Sequence, residues 1–137
     1  MTVLIDTNVI LDFVLKREPF AETARDCMER LIINKTKTWL TASTITDIYY
    51  VTKRGLRYNE ATRDVIAKLL NAYGIASVDK NDCVNALDLD ISDYEDALLS
   101  QCAGRVKVNY IITRNEKHFA SSTVPAISPE DYLKKYG

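Results

Sequence analysis

The sequence predicts an α/β fold of three layers, in which helices cover both faces of a largely parallel sheet. Strand-like apolar runs alternate with segments of helical periodicity along the 137 residues, and strands that are separated by helices favour parallel pairing. The chain contains no internal repeat and no low-complexity linker, and its 47% hydrophobic content suits one buried core. We therefore expect residues 1–137 to form one domain.

The first half of the chain begins with a short β-rich run near the N-terminus, a pattern typical of a buried central strand. Apolar residues at helical spacing follow, and Pro19 suits a first helical position because its missing N–H costs nothing there. The predicted elements, in order, are a strand at residues 2–5, helices from about residue 9 and over residues 19–34, a strand at residues 38–42 and a helix over residues 44–53.

In the second half, Asn59 can cap a helix and Gly74 can end it. Pro125 confines the last strand to an edge of the sheet, since proline has no N–H to donate, and Ser128 with Pro129 is a typical helix start. The predicted elements, in order, are a helix over residues 59–73, a strand at residues 75–78, helices over residues 82–87 and 92–104, strands at residues 110–113 and 124–127, and a helix from Pro129.

Asp6 ends the first predicted strand, and Thr7 and Asn8 follow before a second apolar run begins. In an open parallel sheet, the loop that leaves a central strand opens into the crevice where ligands bind. The alternative is that Asp6 or Thr7 only caps the next helix, since both residue types accept a backbone N–H. A cap needs one polar residue and the sequence has three in a row, so we interpret Asp6 as a candidate site residue.

A second acidic group lies where a long helix is predicted to begin. Ser92 with Glu95 three residues later matches a capping box, which predicts Ser92 as the N-cap and a structural role for Glu95. Asp96 stands where an apolar residue is expected, and an inward-facing carboxylate is costly unless it is paired or binds a cation. Asp93 lies one turn earlier, at a spacing that lets both carboxylates converge on one ion.

Two further polar groups interrupt apolar segments. Asp47 falls in the first turn of the helix predicted after the second strand, where a helix-dipole role is the alternative. Residues 113–116 form a polar cluster at the end of the fourth strand, where a simple turn is the alternative. A parallel sheet could gather all these groups at one edge. Oxygen ligands without Cys or His select hard cations such as Mg²⁺ or Mn²⁺.

Composition argues against several other classes of protein. The formal net charge of −1 does not suit a general nucleic-acid coating protein. The three cysteines lack the close pairing of a zinc site and are expected to be reduced, buried residues. No apolar stretch approaches the ~20 residues of a membrane helix, and the N-terminus lacks a signal-peptide pattern, so a soluble, cytoplasmic protein without membrane contact is expected.

At these residues the sequence resembles the PIN-domain ribonuclease family, including VapC-like toxins of type II toxin–antitoxin systems. Residues 4–12, which read Leu-Ile-Asp-Thr-Asn-Val-Ile-Leu-Asp, are similar to its opening motif. The later motifs are similar to residues 44–48, 93–99, 111–119 and 124–133. The order and spacing of these motifs, over nearly the whole chain, make the resemblance fairly specific. It implies an α/β/α sandwich with a mostly parallel five-stranded sheet, and endoribonuclease cleavage of single-stranded RNA supported by Mg²⁺ or Mn²⁺.

The resemblance also implies roles for individual residues. Catalytic roles fall on Asp6, Asp47, Asp96 and Asn115, and metal binding falls on Asp6, Asp96 and Asp93. Supporting roles, which orient the acidic side chains, fall on Thr7, Asn8 and Thr113. Two residues depart from the commonest pattern. Asp47 is one methylene shorter than the usual Glu and would reach a metal through water, and Asn115 brings no charge where many members have Asp.

Substrate binding requires positive charge near this site. Arg114 and Lys117, in the fourth motif, are the main candidates for phosphate contacts. Further basic candidates are Lys16, Arg17, Lys53, Arg54, Arg57, Arg105 and Lys107, most of which are expected to lie on solvated faces. Aromatic candidates for stacking on bases are Tyr49, Tyr50 and Tyr58, with core packing as the alternative for Tyr49. The single histidine, His118, argues against a mechanism with two imidazoles and is expected at the surface or at a phosphate.

Two other classes of function share part of this pattern. A haloacid-dehalogenase-like phosphatase also places an Asp after its first strand, but it needs a second Asp two residues later, where Asn8 stands. A non-catalytic PIN-like module that binds RNA or a partner protein stays open, because Asp47 and Asn115 both depart from the commonest acids of the family.

Apolar residues in excess of what one sheet can cover predict interfaces. The resemblance implies a homodimer and a small antitoxin protein, and we expect the antitoxin to contact residues 9–20 and 44–58. The candidate contact residues are Phe13, Phe20, Tyr49, Tyr50, Leu56, Tyr58 and Leu70.

Overall fold

The computed structural model describes residues 1–56 and 59–137, which form five strands and seven α-helices. The strands are β1 (Thr2–Ile5), β2 (Lys37–Thr41), β3 (Gly74–Ala76), β4 (Tyr110–Ile112) and β5 (Ala126–Ile127). The helices are α1 (Thr7–Val14), α2 (Ala21–Ile33), α3 (Ala42–Gly55), α4 (Asn59–Ala72), α5 (Lys80–Ala86), α6 (Tyr94–Arg105) and α7 (Pro129–Tyr136). A short 3-10 helix, Glu116–Phe119, lies between β4 and β5.

The five strands form one sheet in the order β3-β2-β1-β4-β5, and every neighbouring pair is parallel. β1 is the central strand, with Leu4 beside Trp39 of β2 on one side and Ile111 of β4 on the other. The chain therefore leaves β1 for β2 on one side and returns to β4 on the other. Such a reversal of strand order opens a crevice at the carboxyl ends of the strands.

Helices cover both faces of the sheet, as the sequence predicts. Side chains alternate along a strand, so neighbouring residues of β1 pack into different layers. Val3 and Ile5 lie in a core that includes buried residues of α1, α2, α3, α4 and α7. Leu4 lies in a second core with Leu99 and Ala103 of α6. The predicted three-layer α/β/α arrangement is thereby confirmed.

Several predicted element boundaries differ from the structure by one or two residues, as at α1, β3 and α5, and two further differences have a visible cause. Pro19 does not begin α2, because the chain first makes a turn in which Phe20 donates its N–H to the carbonyl of Arg17 at 3.0 Å. β5 is shorter than predicted, because the N–H of Val124 donates to the Ser122 hydroxyl at 3.2 Å instead of joining the sheet.

The capping box predicted at Ser92 is also wrong. Asp93 is the N-cap of α6, and its Oδ1 accepts the N–H of Asp96 at 3.0 Å. The carboxylate of Asp93 provides this cap itself, so the helix begins one residue later than predicted. A reciprocal capping box is formed instead by Asp79 and Asp82 at the start of α5.

Two of the three cysteines, Cys27 and Cys102, are buried thiols as predicted, whereas the thiol of Cys83 is half-buried. Across residues 1–56 and 59–137, we find no helix with the length and apolar character needed to cross a membrane. Arg57 and Tyr58, which the sequence suggested as contact residues, lie outside the described residues.

Candidate active site

Polar side chains from three neighbouring strands meet at the carboxyl edge of the sheet. Asp6 follows β1, residues 113–115 follow β4, and α3 begins directly after β2. A cavity of about 580 Å³ opens there, between these segments and the start of α6. Five carboxylates line it: Asp6, Asp47, Asp93, Glu95 and Asp96.

Asp6 is the N-cap of α1 and is only 9% exposed. Its Oδ1 accepts the N–H of Thr7 at 2.7 Å, and its Oδ2 accepts the hydroxyl of Thr113 at 2.8 Å. Burial raises the pKa of Asp6 to about 6 against the effect of the Thr113 hydrogen bond, and the charge of Asp96 raises it further. The capping role and the cavity-lining position therefore belong to the same carboxylate.

A chain of hydroxyl groups connects α1 to α3. The Thr7 hydroxyl donates to that of Thr44 at 3.2 Å, and the Thr44 and Thr41 hydroxyls are 2.9 Å apart. Thr41 also caps α3 by accepting the N–H of Thr44 at 3.2 Å, and its hydroxyl lies 2.9 Å from that of Ser43. These contacts fix the start of α3 relative to β1. Sequence reasoning missed this network, although hydroxyl residues between a strand and a helix are a recognisable capping signal.

Asp96 is the third residue of α6, and its side chain is 14% exposed. Its Oδ2 lies 3.0 Å from Nδ1 of His118. Burial raises the pKa of Asp96, the charge of Asp93 adds to this effect, and His118 opposes it. His118 is exposed, as the sequence predicted, but its pairing with Asp96 was missed because the two residues are 22 positions apart.

Asp47 and Glu95 extend the acidic cluster to the other side of the cavity. Burial raises the pKa of Asp47, and the charge of Asp47 is the largest of the effects that raise the pKa of Glu95. Because α3 begins at Ala42, Asp47 lies beyond the first turn, and the helix-dipole interpretation of Asp47 is wrong. Glu95 lies in the first turn of α6, as its predicted structural role requires, and its side chain also lines the cavity.

Two arginines lie beside the acids, and a buried carboxylate holds both. Asp12 is 1% exposed, with Oδ1 2.9 Å from Nε of Arg17 and Oδ2 2.5 Å from Nε of Arg114. The guanidinium of Arg114 also lies 4.0 Å from the ring centroid of Phe20. Sequence reasoning gave Asp12 no role of its own. A sequence signal for Asp12 does exist, because this charged residue interrupts the apolar segment of the first helix in the same way that Asp6 interrupts the apolar residues before it.

The cavity gathers most of the residues that the sequence predicted for the site: Asp6, Thr7, Asn8, Asp47, Asp93, Asp96, Arg114 and Asn115. Thr113 is buried beneath Asp6 and also accepts the N–H of Asn115 at 3.0 Å. The side-chain oxygen of Asn8 accepts the N–H of Arg114 at 3.5 Å, so Asn8 contacts the loop after β4. Lys117 is not part of the cavity, since it borders a separate depression.

The oxygen donors of this cavity suit a hard divalent cation. Their raised pKa values indicate that the negative charges are unfavourable without a counter-ion. Among residues 1–56 and 59–137, no three Asp, Glu, His or Cys side chains are already grouped closely enough to hold an ion. Asp6 and Asp96 instead point to the partners described above. The residues therefore fit a cation by chemistry and charge.

Comparison with known proteins identifies the family. The family model described as PIN domain matches residues 2–117, and the chain therefore belongs to the PIN domain family. A comparison with curated proteins gives no match.

Several solved structures have a similar fold. A VapBC2 structure from Rickettsia felis, bound to a promoter DNA fragment, has a TM-score of 0.73 at 15% sequence identity. The match covers 93% of this chain and 98% of the Rickettsia felis chain. A toxin–antitoxin complex from Klebsiella pneumoniae has a TM-score of 0.70 at 20% sequence identity, and the match covers 93% of this chain and 97% of the Klebsiella chain. DNA-bound VapBC from Salmonella typhimurium has a TM-score of 0.70 at 17% sequence identity, and the match covers 94% of this chain and 98% of the Salmonella chain. At these identities the likeness shows the fold.

Proposed function

We propose that this protein is a metal-dependent endoribonuclease that hydrolyses phosphodiester bonds of single-stranded RNA in the cytoplasm, with residues 1–137 acting as one catalytic domain. The observation that carries the proposal is the convergence of five carboxylates on one cavity at the carboxyl edge of the sheet. Membership of the PIN domain family supports it. We propose further that the protein is the toxin of a toxin–antitoxin pair, as in the similar complex from Klebsiella pneumoniae.

Asp6, Asp93 and Asp96 are the residues that we assign to holding Mg²⁺ or Mn²⁺, with Asp47 acting through water. Asn115 completes the polar lining with a neutral amide. A bound divalent cation would neutralise the carboxylates, polarise a phosphoryl oxygen and acidify an attacking water.

Other residues of the chain orient the catalytic carboxylate and bind the substrate. Thr7 and Thr113 hold the Asp6 carboxylate by one hydrogen bond to each oxygen, so its orientation is fixed before substrate arrives. Arg114 borders the same cavity and is assigned to binding backbone phosphate. His118 is the only histidine of the chain, so base and acid roles cannot be divided between two imidazoles. We propose that the attacking water forms the new P–O bond as the P–O3′ bond breaks and the 3′ oxygen leaves with a proton, which gives products with 5′-phosphate and 3′-hydroxyl ends.

An antitoxin requires exposed apolar side chains on the toxin, and several such side chains lie before and after β2 in the chain. Phe13 and Phe20 are 41% and 39% exposed, and Tyr50 and Leu70 are 56% and 50% exposed. We propose that a small protein partner covers these side chains, since solvent-exposed apolar patches mark interfaces.

The decisive experiment measures cleavage of a single-stranded RNA with Mg²⁺, with Mn²⁺ and with EDTA. Wild-type protein should cut the RNA only when a divalent ion is present. Asp6→Asn and Asp96→Asn should each abolish cleavage while a thermal melt shows an intact fold, because removing like charge from a crowded cluster does not destabilise it. Asp64→Asn, a change at an exposed aspartate of α4, is the matched control and should cut normally.

Undiminished cleavage by either site variant would refute the assignment of Asp6 and Asp96. RNA binding by the wild-type protein without turnover in either metal would favour the non-catalytic binding module.

A further inference from the structure

One buried carboxylate holds two arginines at the rim of the acidic cavity. Arg17 and Arg114 contact the two oxygens of Asp12 at 2.9 and 2.5 Å, and the Asp12 side chain is 1% exposed. A single arginine would neutralise this carboxylate. The second arginine leaves the group with one excess positive charge, which lies directly beside the acids of the cavity.

Both arginines keep an N–H edge directed away from Asp12. Arg17 uses Nε for Asp12 and Nη2 for the carbonyl of Asn8 at 3.2 Å. Arg114 uses Nε and Nη2 for Asp12. Within the part of the chain that the structure describes, no hydrogen bond uses Nη1 of either arginine. The side chains are 37% and 28% exposed, so these donors are available to a ligand in the cavity.

The same ion pairs keep the arginines away from the acidic cluster. In residues 1–56 and 59–137, the only carboxylate within salt-bridge distance of Arg17 or Arg114 is that of Asp12. An arginine paired with Asp6 or Asp96 would cancel the negative charge that attracts a cation. Asp12 therefore keeps positive and negative groups separate within one cavity.

We propose that Arg17 and Arg114, positioned by Asp12, form a binding site for a backbone phosphate of the RNA substrate. A guanidinium that is fixed on one side and open on the other presents N–H donors in the planar geometry that phosphate oxygens accept. The inference rests on the proposed function for its ligand, and it adds Arg17 as a binding residue and Asp12 as a positioning residue. A phosphate contact carries no sequence information, so the site should serve RNAs of different sequence equally.

The first test measures the affinity of short, fluorescein-labelled single-stranded RNAs for the Asp6→Asn protein in EDTA, where turnover cannot occur. Adding Arg17→Gln should weaken binding about tenfold, as expected for loss of a charge-assisted hydrogen bond. It should also reduce the slope of log affinity against log salt concentration by about 0.7, the value for one phosphate contact of a single strand. Both changes should be the same for two RNAs of unrelated sequence.

The matched control is Arg25→Gln, which removes an arginine of α2 that pairs with Asp26 at 3.0 Å outside the cavity. Arg17→Lys keeps the charge and should restore part of the affinity. Equal binding by the Arg17→Gln and Arg25→Gln proteins, or no measurable RNA affinity of the parent protein at low salt, would overturn the inference.

The second test uses Asp12→Asn to separate positioning from net charge. This change makes the protein more positive by one charge, so a purely electrostatic contribution predicts tighter RNA binding. If Asp12 positions the two arginines, RNA binding weakens in spite of the added charge. Unchanged or tighter binding would remove Asp12 from the site, and the Arg17→Gln result tests the phosphate site independently of this variant.

These outcomes are distinguishable from failure of the proposed function. If wild-type protein cuts RNA while Arg17→Gln has the KM and salt dependence of Arg25→Gln, the phosphate site is refuted and the nuclease stands. If no RNA is cut in any metal but binding still depends on Arg17, the nuclease is refuted and the phosphate site stands.

Discussion

At the scale of single residues, Asp6 shows how an acidic site is held in an unfavourable charge state. Its carboxylate accepts two hydrogen bonds that favour the anion, yet burial still raises its pKa to about 6. The unpaired anion therefore lowers the free energy of unfolding in the absence of a cation.

We expect this effect to appear as a pH-dependent stability of the metal-free protein. The pKa of Asp6 is 3.8 in the reference state and about 6 in the folded chain. Its favourable contribution is therefore fully present below pH 3.8 and lost as the pH rises through about 6. The loss amounts to roughly 3 kcal/mol at 1.36 kcal/mol per pKa unit. Asp6→Asn should remove it, so that the variant gains stability relative to wild type between pH 4 and pH 7.

The measurement is urea denaturation in EDTA at several pH values. Parallel stability curves for wild type and Asp6→Asn would contradict the raised pKa of Asp6. The exposed Asp64 again offers a control variant, Asp64→Asn, which removes a carboxylate outside the cavity.

Asn115 gives the second prediction at this scale. It lines the cavity without charge, so Asn115→Asp should add an anion beside the cation site. The Kd for Mn²⁺ should fall on the order of tenfold, from Coulomb attraction between opposite charges a few Å apart. Calorimetric titration measures this change, and Asn85→Asp on the exposed surface of α5 controls for net charge alone. An unchanged Kd would show that residue 115 does not face the ion.

At the scale of secondary-structure elements, the acids are placed by helix starts. Asp6 caps α1, Asp93 caps α6, and Thr41 caps α3, whose second turn carries Asp47. All three N-termini face the cavity, and their partial positive charges partly offset the carboxylates. The helix ends therefore both orient the site and stabilise its charge.

The edge of the sheet depends on close packing between β2 and β3. Gly74 pairs with Trp39, and a Cβ at Gly74 would lie 2.8 Å from Cε3 of the indole ring. Because the ring is rigid, Gly74→Ala should lower the free energy of unfolding by about 1–3 kcal/mol. Gly104→Ala is the matched control, since its Cβ would meet only Thr123 at 3.5 Å, and it should be neutral or stabilise α6 by up to about 1 kcal/mol.

Urea midpoints with unchanged m-values would measure both effects. A Gly74→Ala protein as stable as the Gly104→Ala protein would mean that the indole of Trp39 moves aside without cost.

At the scale of the whole molecule, the exposed apolar side chains are distributed over several helices. Phe13, Phe20, Tyr50 and Leu70, which the sequence suggested as contacts, are exposed, and Tyr49 and Leu56 are half-buried. Leu87 of the α5–α6 connection and Ile32 of α2 are more exposed still, at 72% and 71%. Exposed apolar side chains thus remain beyond those assigned to the protein partner.

We predict that the chain forms a two-fold homodimer in solution, because an isologous contact buries the same patch on both copies and would place two acidic cavities along one RNA. Light scattering at micromolar concentration should give twice the 15.5 kDa chain mass. A monomer mass over the whole accessible concentration range would refute the dimer without affecting the nuclease.

The sequence by itself determined the features that depend on neighbouring positions. Apolar runs predicted all five strands, and alternation with helices predicted the parallel three-layer fold. Polar residues that end or interrupt apolar segments indicated Asp6, Asp47, Asp96 and the cluster of residues 113–116 as candidates, and the family motifs implied roles for them. The predictions of the strands and of the layered fold succeed because strand formation and the position of a strand end depend on residues a few places apart.

Only the tertiary structure decided which side chains meet. Thr113 donates to Asp6 across 107 positions, and Arg114 reaches Asp12 across 102. Both pairings exist because β4 lies beside β1 in the sheet, a neighbourhood that no local pattern encodes. The sequence likewise predicted Ser92 as the helix cap, whereas Asp93 provides that cap in the folded chain. A short stretch of sequence allows several local contacts of similar energy, and long-range packing decides which of them form. That packing therefore determines which side chains line the cavity.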